Sequence, residues 1–362
     1  MQSGSWSLPH ATAGIADSAA TRCRNEVFIR GLPKTELHMH LEGSMESETI
    51  FAIARRNGIT LRWNSPQDLR AAYKFEDLAS FLDLYFEACS VLCTDRDFHD
   101  VTRAYLERAK QDGVLHAEIF FGPQTFTDRD IPISAMMEGI LGAIDDAREP
   151  GFSAGVLVSV HRHRTEEAAL NVLRQIKPWA GRIVGIGMGG VELGNPPSRF
   201  VAFFEAARAA GFFTTVHAGE EGPPEYVREA LDLLKVSRID HGIVAARDPD
   251  LIAELARRGI PLTVCPLSNL RLKGVPDLSV HPLKRLLRAG VLVTVNSDDP
   301  PYFGGWVTEN LLACQHAMDL TRDDIVQIAR NGFKAAIMPE DMRTAAIRSL
   351  EEYVAQSADS EC

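Results

Sequence analysis

The 362-residue sequence predicts an α/β protein folded as a single (β/α)8 TIM barrel with extra helices after the first strand. Three observations carry this reading. Eight short β-branched runs alternate with longer stretches of 3.6-residue apolar periodicity, the pattern of a parallel sheet wrapped by helices. No glycine-rich phosphate turn follows the first run, which continues His40-Leu41-Glu42-Gly43-Ser44, so an open doubly wound sheet is disfavoured. No low-complexity linker divides the chain into separate units.

The strands are expected at Thr35–His40, Val114–Phe121, Gly155–Val160, Ile183–Met188, Phe213–His217, Arg238–His241, Leu262–Cys265 and Leu292–Asn296. The segment from about Met45 to Leu92 supplies the extra helices. Further helices are expected at Asp97–Gln111, Ser134–Arg148, Thr165–Lys177, Ser198–Ala210, Glu225–Leu234, Pro249–Arg258 and Pro282–Ala289, with Gly or Pro near their ends to start and stop them. Residues 1–25, rich in Ser, Ala, Gly and Thr, read as a disordered leader. Residues 26–355 form the barrel domain, and 356–362 a flexible tail.

Composition narrows the class. A chain 45% hydrophobic and 24% charged has the balance of a well-packed globular enzyme. Thirty-eight basic against 49 acidic residues give a net charge of −11, which argues against a nucleic-acid surface. No apolar run is long enough to span a membrane. Six scattered cysteines show no disulfide framework and the start carries no secretory signal, so a reduced, cytoplasmic setting is expected.

In such a barrel, function gathers at the C-terminal ends of the strands. The first strand ends in His38 and His40, two residues apart and therefore on one face, where both imidazoles can meet one metal ion. The fifth ends in His217, followed by Ala218-Gly219-Glu220; the sixth in Asp240-His241-Gly242; the eighth in Asn296-Ser297-Asp298-Asp299-Pro300. Three imidazoles and one carboxylate around one mouth suit a catalytic divalent metal, zinc by default. Zinc brings the pKa of its water towards about 7. His241 and Asp298 are the candidates to take or relay the water proton. Glu220 is the candidate general acid, its proton retained against an apolar wall, and Asp299 can accept a hydrogen bond from substrate. The fourth strand ends Ile186-Gly187-Met188-Gly189-Gly190 without the Lys that bridges two metals in binuclear hydrolases, so a single ion is expected.

Five stretches then point to a family. Leu32-Pro33-Lys34-Thr35-Glu36-Leu37-His38-Met39-His40-Leu41-Glu42-Gly43, Val216-His217-Ala218-Gly219-Glu220, Arg238-Ile239-Asp240-His241-Gly242, Cys265-Pro266-Leu267-Ser268-Asn269 and Asn296-Ser297-Asp298-Asp299-Pro300 resemble the adenosine/adenine deaminase family, in that family's order. The resemblance covers roughly Phe28 to Tyr353. It implies one zinc ion held by His38, His40, His217 and Asp298. It implies Glu220 as the acid that protonates purine N1, His241 as the residue orienting the attacking hydroxide, and Asp299 as the partner of N7. Gly190 resembles the glycine whose backbone approaches N3. Water adds to C6 and ammonia leaves. The Pro-Cys-x-x-Cys of another nucleobase deaminase class is absent.

Glu42 stands where adenosine deaminases carry an Asp that meets ribose. A longer Glu resembles the bacterial adenine deaminases and would occupy space that a sugar needs. Phe121-Gly122-Pro123-Gln124-Thr125, Glu221-Gly222-Pro223-Pro224-Glu225-Tyr226 and Tyr302-Phe303-Gly304-Gly305 resemble the same branch. Two departures stand out: Gly189-Gly190-Val191-Glu192 replaces the branch's Asp-Ser-Ser-Glu, and Gly122 replaces an Asp. The lost side chains predict a pocket opened towards larger substrates. Adenine is the expected substrate, with an N6-alkyl adenine, aminodeoxyfutalosine or adenosine as alternatives. Two other classes are kept in view: another ring amidohydrolase, and a catalytically inactive barrel that only binds. The expected partner is a small-molecule purine, with no nucleic acid and no membrane; a homo-oligomer is left open.

Other conspicuous residues have plainer readings. His161 and His163 are flanked by Arg162 and Arg164, which would repel a cation, so they read as pocket-lining or loop residues. Phe75, Phe81, Leu84 and Tyr85 form a helix face that is either substrate wall or packed core. Ser268 and Asn269 read as braces, and Cys265 as a buried strand residue.

Overall fold

Eight parallel strands, β1 (Lys34–His40), β2 (Val114–Phe121), β3 (Ser153–His161), β4 (Ile183–Gly189), β5 (Phe213–Ala218), β6 (Arg238–His241), β7 (Leu262–Val264) and β8 (Val293–Val295), pair in sequence order in one sheet. This computed structural model describes residues 24–359. The strands are buried nearly end to end, as both faces of a barrel wall require. The expected (β/α)8 barrel is therefore the observed architecture. β3 runs further at both ends than expected, because its neighbours pair with it there: His116 of β2 with Ser153, and Gly189 of β4 with His161.

The ring closes between the last strand and the first by an irregular seam. Asp298, three residues past β8, bridges to Met39; its N–H donates to His38 O and its carbonyl accepts the His40 N–H, both at 2.9 Å. Below this, the Asn296 carboxamide oxygen accepts the Leu37 N–H at 2.9 Å.

The extra helices after β1 are Ser47–Arg56, Pro66–Ala71 and Leu78–Cys89, followed by Asp95–Gln111 before β2. After β8 come a single turn, Pro300–Phe303, and three longer helices beyond those expected from the sequence: Val307–Met318, Arg322–Ala335 and Glu340–Asp359. The second packs across β8 and β1, and the Asn331 side chain donates to Val293 O at 3.1 Å. The third runs to residue 359, past the expected domain end at 355, and is anchored by the Tyr353 hydroxyl on Phe28 O at 2.9 Å. Residues 360–362 and most of the expected leader lie outside the described residues; its last two, 24 and 25, belong to a helical stretch over 24–31. No described helix is long and apolar enough to cross a membrane.

Inside the barrel, Arg238 and Glu118 are fully buried and pair at 2.6 Å, with the Arg238 Nε 3.6 Å from Asp240. This pair stands beneath the functional end and braces it.

Candidate active site

Four of the expected residues converge at the C-terminal mouth. His38 and His40 arrive from alternate positions of β1, His217 from β5, and Asp298 from the seam. The Nε2 atoms of His38 and His217 lie 3.1 Å apart, those of His40 and His217 3.2 Å. Asp298 Oδ1 is 3.3 Å from His40 Nε2 and 3.6 Å from His38 Nε2.

The tautomers show what this cluster is built to hold. His38 Nδ1 lies 3.0 Å from the Thr263 carbonyl, which only accepts, so Nδ1 carries the hydrogen and Nε2 is bare. His217 Nδ1 faces Asp240 Oδ2 at 3.3 Å, which leaves its Nε2 bare as well. Two lone pairs at 3.1 Å repel unless a cation lies between them. Metal–nitrogen bonds of about 2.0–2.1 Å in a tetrahedral site set ligand atoms roughly 3.3 Å apart, close to the spacing found. The residues fit one divalent ion.

Charge and burial separate the remaining roles. Burial, then the neighbouring His217, pushes His38 down to about 3, and burial brings His217 and His241 to about 4, which favours their neutral forms; at His40 burial is outweighed by the hydrogen bond and charge of Asp298, which hold it above its ordinary value. Burial works against the Asp298 carboxylate, but the hydrogen bond from His40 and the nearby His241 keep it well below the usual range. Glu220 is the opposite case: burial, then the charges of Asp298 and Glu192, push it well above. Burial and Asp298 do the same to Asp299. Burial and the charge of Asp298 thus favour the neutral forms of Glu220 and Asp299 beside an ionised Asp298.

His241 Nε2 lies 3.5 Å from Glu220 Oε2 and 3.8 Å from Asp298 Oδ2. His241 and Asp298 both sit in the left-handed region, at φ 62° and 63°. That conformation costs about 1–2 kcal/mol for a side-chain-bearing residue, and at Asp298 it breaks strand alternation, so that Asp298 and Asp299 both line the cavity. Asp298 turns to the imidazoles while Asp299 lies over Gly43, where a Cβ would collide with its carboxylate.

The cavity at the mouth is lined by His40, His217, Glu220, His241, Asp298 and Asp299 on its reaction side. Phe81 and Tyr85 from Leu78–Cys89 form part of the opposite wall, whereas Phe75 and Leu84 pack in the core. Gly190 reaches the cavity as expected; Glu42 does not. Its carboxylate, 1% exposed, turns with the short 3-10 segment Glu42–Ser44 towards β2 and accepts the Gly122 N–H at 2.8 Å. Glu42 backs the wall rather than filling sugar space. The expected widening at the glycines is also corrected: His161 and His163 stand against the space beside Gly122 and Gly190.

Several working residues escaped the sequence reading. Asp240 orients His217 and is itself fixed by the hydroxyls of Thr215 at 2.7 Å and Thr263 at 2.9 Å. Its position, a charge two residues from Arg238 on a strand buried along its whole length, was the available signal. Glu192 accepts the N–H groups of Gly219, Glu220, Glu221 and Gly222 at 2.7–3.0 Å and so moulds the loop that carries Glu220. Arg162 does not face a cation site; it is buried, donates to His217 O at 2.6 Å and lies 3.7 Å from Glu192. Arg164 pairs with Asp128. Asn269 braces His241 Nδ1 at 3.5 Å, as expected of a support, and Cys265 is buried with its thiol beside the cluster.

A sequence profile of the adenosine deaminase family matches residues 33–353. The chain belongs to that family. It is 60% identical over 334 residues to an adenine deaminase of Rhodopseudomonas palustris, covering 92% of this chain and 97% of the relative. Among solved structures it resembles the adenine deaminase from Arthrobacter aurescens, at 42% identity and a TM-score of 0.88, covering 90% of this chain and 99% of that one. An amidohydrolase from Burkholderia ambifaria with bound Zn is 30% identical, with a TM-score of 0.85 over 93% of this chain and 95% of that one.

Proposed function

We propose that the protein is a zinc-dependent hydrolytic deaminase that converts adenine and water to hypoxanthine and ammonia. One observation carries the reading: Glu220 and His241, 3.5 Å apart, face a convergent three-imidazole, one-carboxylate cluster in a chain akin to adenine deaminases, with burial holding the Glu220 carboxyl well above its ordinary range. His38, His40, His217 and Asp298 would hold the ion. The three-nitrogen, one-oxygen donor set favours zinc, which the Burkholderia ambifaria relative also carries. When bound, the ion supplies a water acidic enough to attack at neutral pH.

The chain's own groups do the rest. Glu220 gives its proton to N1, which makes C6 electrophilic. His241, neutral and braced by Asn269, orients the attacking water and takes its proton. Burial and the Asp298 charge favour the protonated form of Asp299, so it donates to N7, which has no hydrogen of its own in the 9-H base, rather than accepting from substrate as the sequence suggested. The C6–O bond forms, the C6–N bond breaks, and the amino group leaves as ammonia after receiving a proton. Leu78, Phe81 and Tyr85 keep bulk water from the ring. The free thiols Cys89, Cys93, Cys265 and Cys314 support a reducing compartment, the cytoplasm.

The test is ammonia release by the purified holoenzyme from adenine, adenosine, N6-methyladenine and aminodeoxyfutalosine, with metal analysis alongside. Adenine is expected to be turned over best, with one zinc per chain. A preference for any other member would displace the substrate assignment, and no ammonia from the whole panel would sink the deaminase reading.

A further inference from the structure

β3 brings two histidines to the mouth, His161 at its last position and His163 two residues on. Their rings stack with centroids 5.1 Å apart, and Phe86 lies 5.7 Å from the His161 ring. A Cβ added at Gly122 would lie 3.0 Å from His161 Nε2, and one at Gly190 3.1 Å from His163 Nδ1. The glycine pair and the histidine pair are therefore one packing solution. His161 reaches the cavity. Away from the reaction cluster, the other hydrogen-bonding side chains among the described lining residues are Ser159 and Tyr85. Burial, then His163, keeps the His161 ring neutral; its Nε2 lies 3.4 Å from the Thr125 hydroxyl, and with that nitrogen donating to Thr125 the other keeps a lone pair for an acceptor role.

Strand order decides which edge of a substrate this imidazole meets; the step rests on the deaminase reading above. With Glu220, just past β5, at N1 and Asp299, past β8, at N7, C6 faces the short arc between them, which carries His241 of β6. Around the purine rim from N1, the remaining polar atoms come in the order N3, then N9. Around the barrel from β5, the long arc passes Gly190 after β4 and then His161 at the end of β3. The two orders coincide.

We infer that His161 accepts the N9–H of the free base and is the residue by which the enzyme selects adenine over 9-substituted derivatives. A methyl or ribosyl group on N9 removes the donor and sets bulk against the ring that should receive it. The contact is unavailable to a nucleoside, whatever the fit of its base.

Steady-state kinetics of holoenzyme on adenine and 9-methyladenine test this. In His161→Ala the ratio of kcat/KM values for the two substrates falls about tenfold, the worth of one buried hydrogen bond, with the adenine loss carried by KM. His161→Gln, which keeps an acceptor, recovers part of the ratio. An unchanged ratio overturns the proposal, whether both activities hold or both fall together. If wild type releases no ammonia from adenine, the deaminase reading fails instead. Calorimetric binding of adenine then still tests the contact, and equal affinities in wild type and His161→Ala overturn it. For the packing relation, Gly122→Asp lowers the melting temperature and His161→Ala in the same chain restores part of the loss. Strictly additive shifts would refute it.

Discussion

Glu192 grips the backbone of Glu220. Its carboxylate accepts the Glu220 N–H at 3.0 Å together with those of Gly219, Glu221 and Gly222, all from one buried position after β4. Four donors on one carboxylate make a rigid seat for the acid, and the same negative charge helps to keep Glu220 protonated.

Glu192→Ala strands those N–H groups and is expected to cost about 2–4 kcal/mol of stability by chemical denaturation. Glu192→Gln keeps an acceptor but presents an amide to donors. It is expected to fold, bind metal and lose about 100-fold in kcat, because the acid is displaced rather than removed. Full activity in Glu192→Gln would show that the seat is not needed for turnover.

Glu220→Gln removes the proton and keeps the shape. Its kcat is expected to fall by about 10²–10⁴-fold while zinc content stays at that of wild type. Metal loss in this variant would mean that Glu220 supports the ion rather than the ring.

Chelation is expected to abolish turnover and lower the melting temperature together, since it returns the facing nitrogens of His38 and His217 to mutual repulsion. One equivalent of zinc should restore both. At a thousandfold excess over Kd, a ligand that binds only the folded state stabilises by about 4 kcal/mol. Activity that survives complete removal of metal would contradict the ligand set.

Lys34 gives a pH signature far from the chemistry. Burial brings its ammonium down from 10.5 to about 8, although it donates to Asp112 O at 2.7 Å. The unfolded chain binds a proton more tightly there than the fold does. Stability from this group is therefore constant below about 8 and rises as pH climbs towards 10.5. The difference between wild type and Lys34→Met should shift in wild type's favour across that window, by an amount on the order of 3 kcal/mol. A flat difference in denaturant titrations at pH 7.5 and 10 would rule this out.

The strands and the convergence of His38, His40, His217 and Asp298 were legible because both rest on simple rules of strand geometry. Alternate residues of a strand share a face, so His38 and His40 had to point together, and strand ends in a barrel had to meet at one mouth. Glu42 was misread because its direction is set by a three-residue 3-10 turn and by the Gly122 N–H, 80 residues away. The glycines were misread for a related reason. A missing side chain reads as space in one dimension, whereas here His161 and His163 come from the neighbouring strand to meet it. Glu192 sits in an irregular loop, where no periodicity says which backbone groups its carboxylate will find. The helices after β8 went unassigned although Thr321 and Asp324 form a capping box at the start of Arg322–Ala335.

The irregular seam has a consequence for biosynthesis. Asp298 closes the ring through its main chain, on His38 and His40, and contributes its side chain to the cluster those two histidines begin. The first and last strands leave the ribosome more than 250 residues apart, so no nascent chain short of about residue 300 holds a finished ion site. On the proposed ligand set, capture of an ion would report that synthesis has reached the last strand and that this strand has met the first.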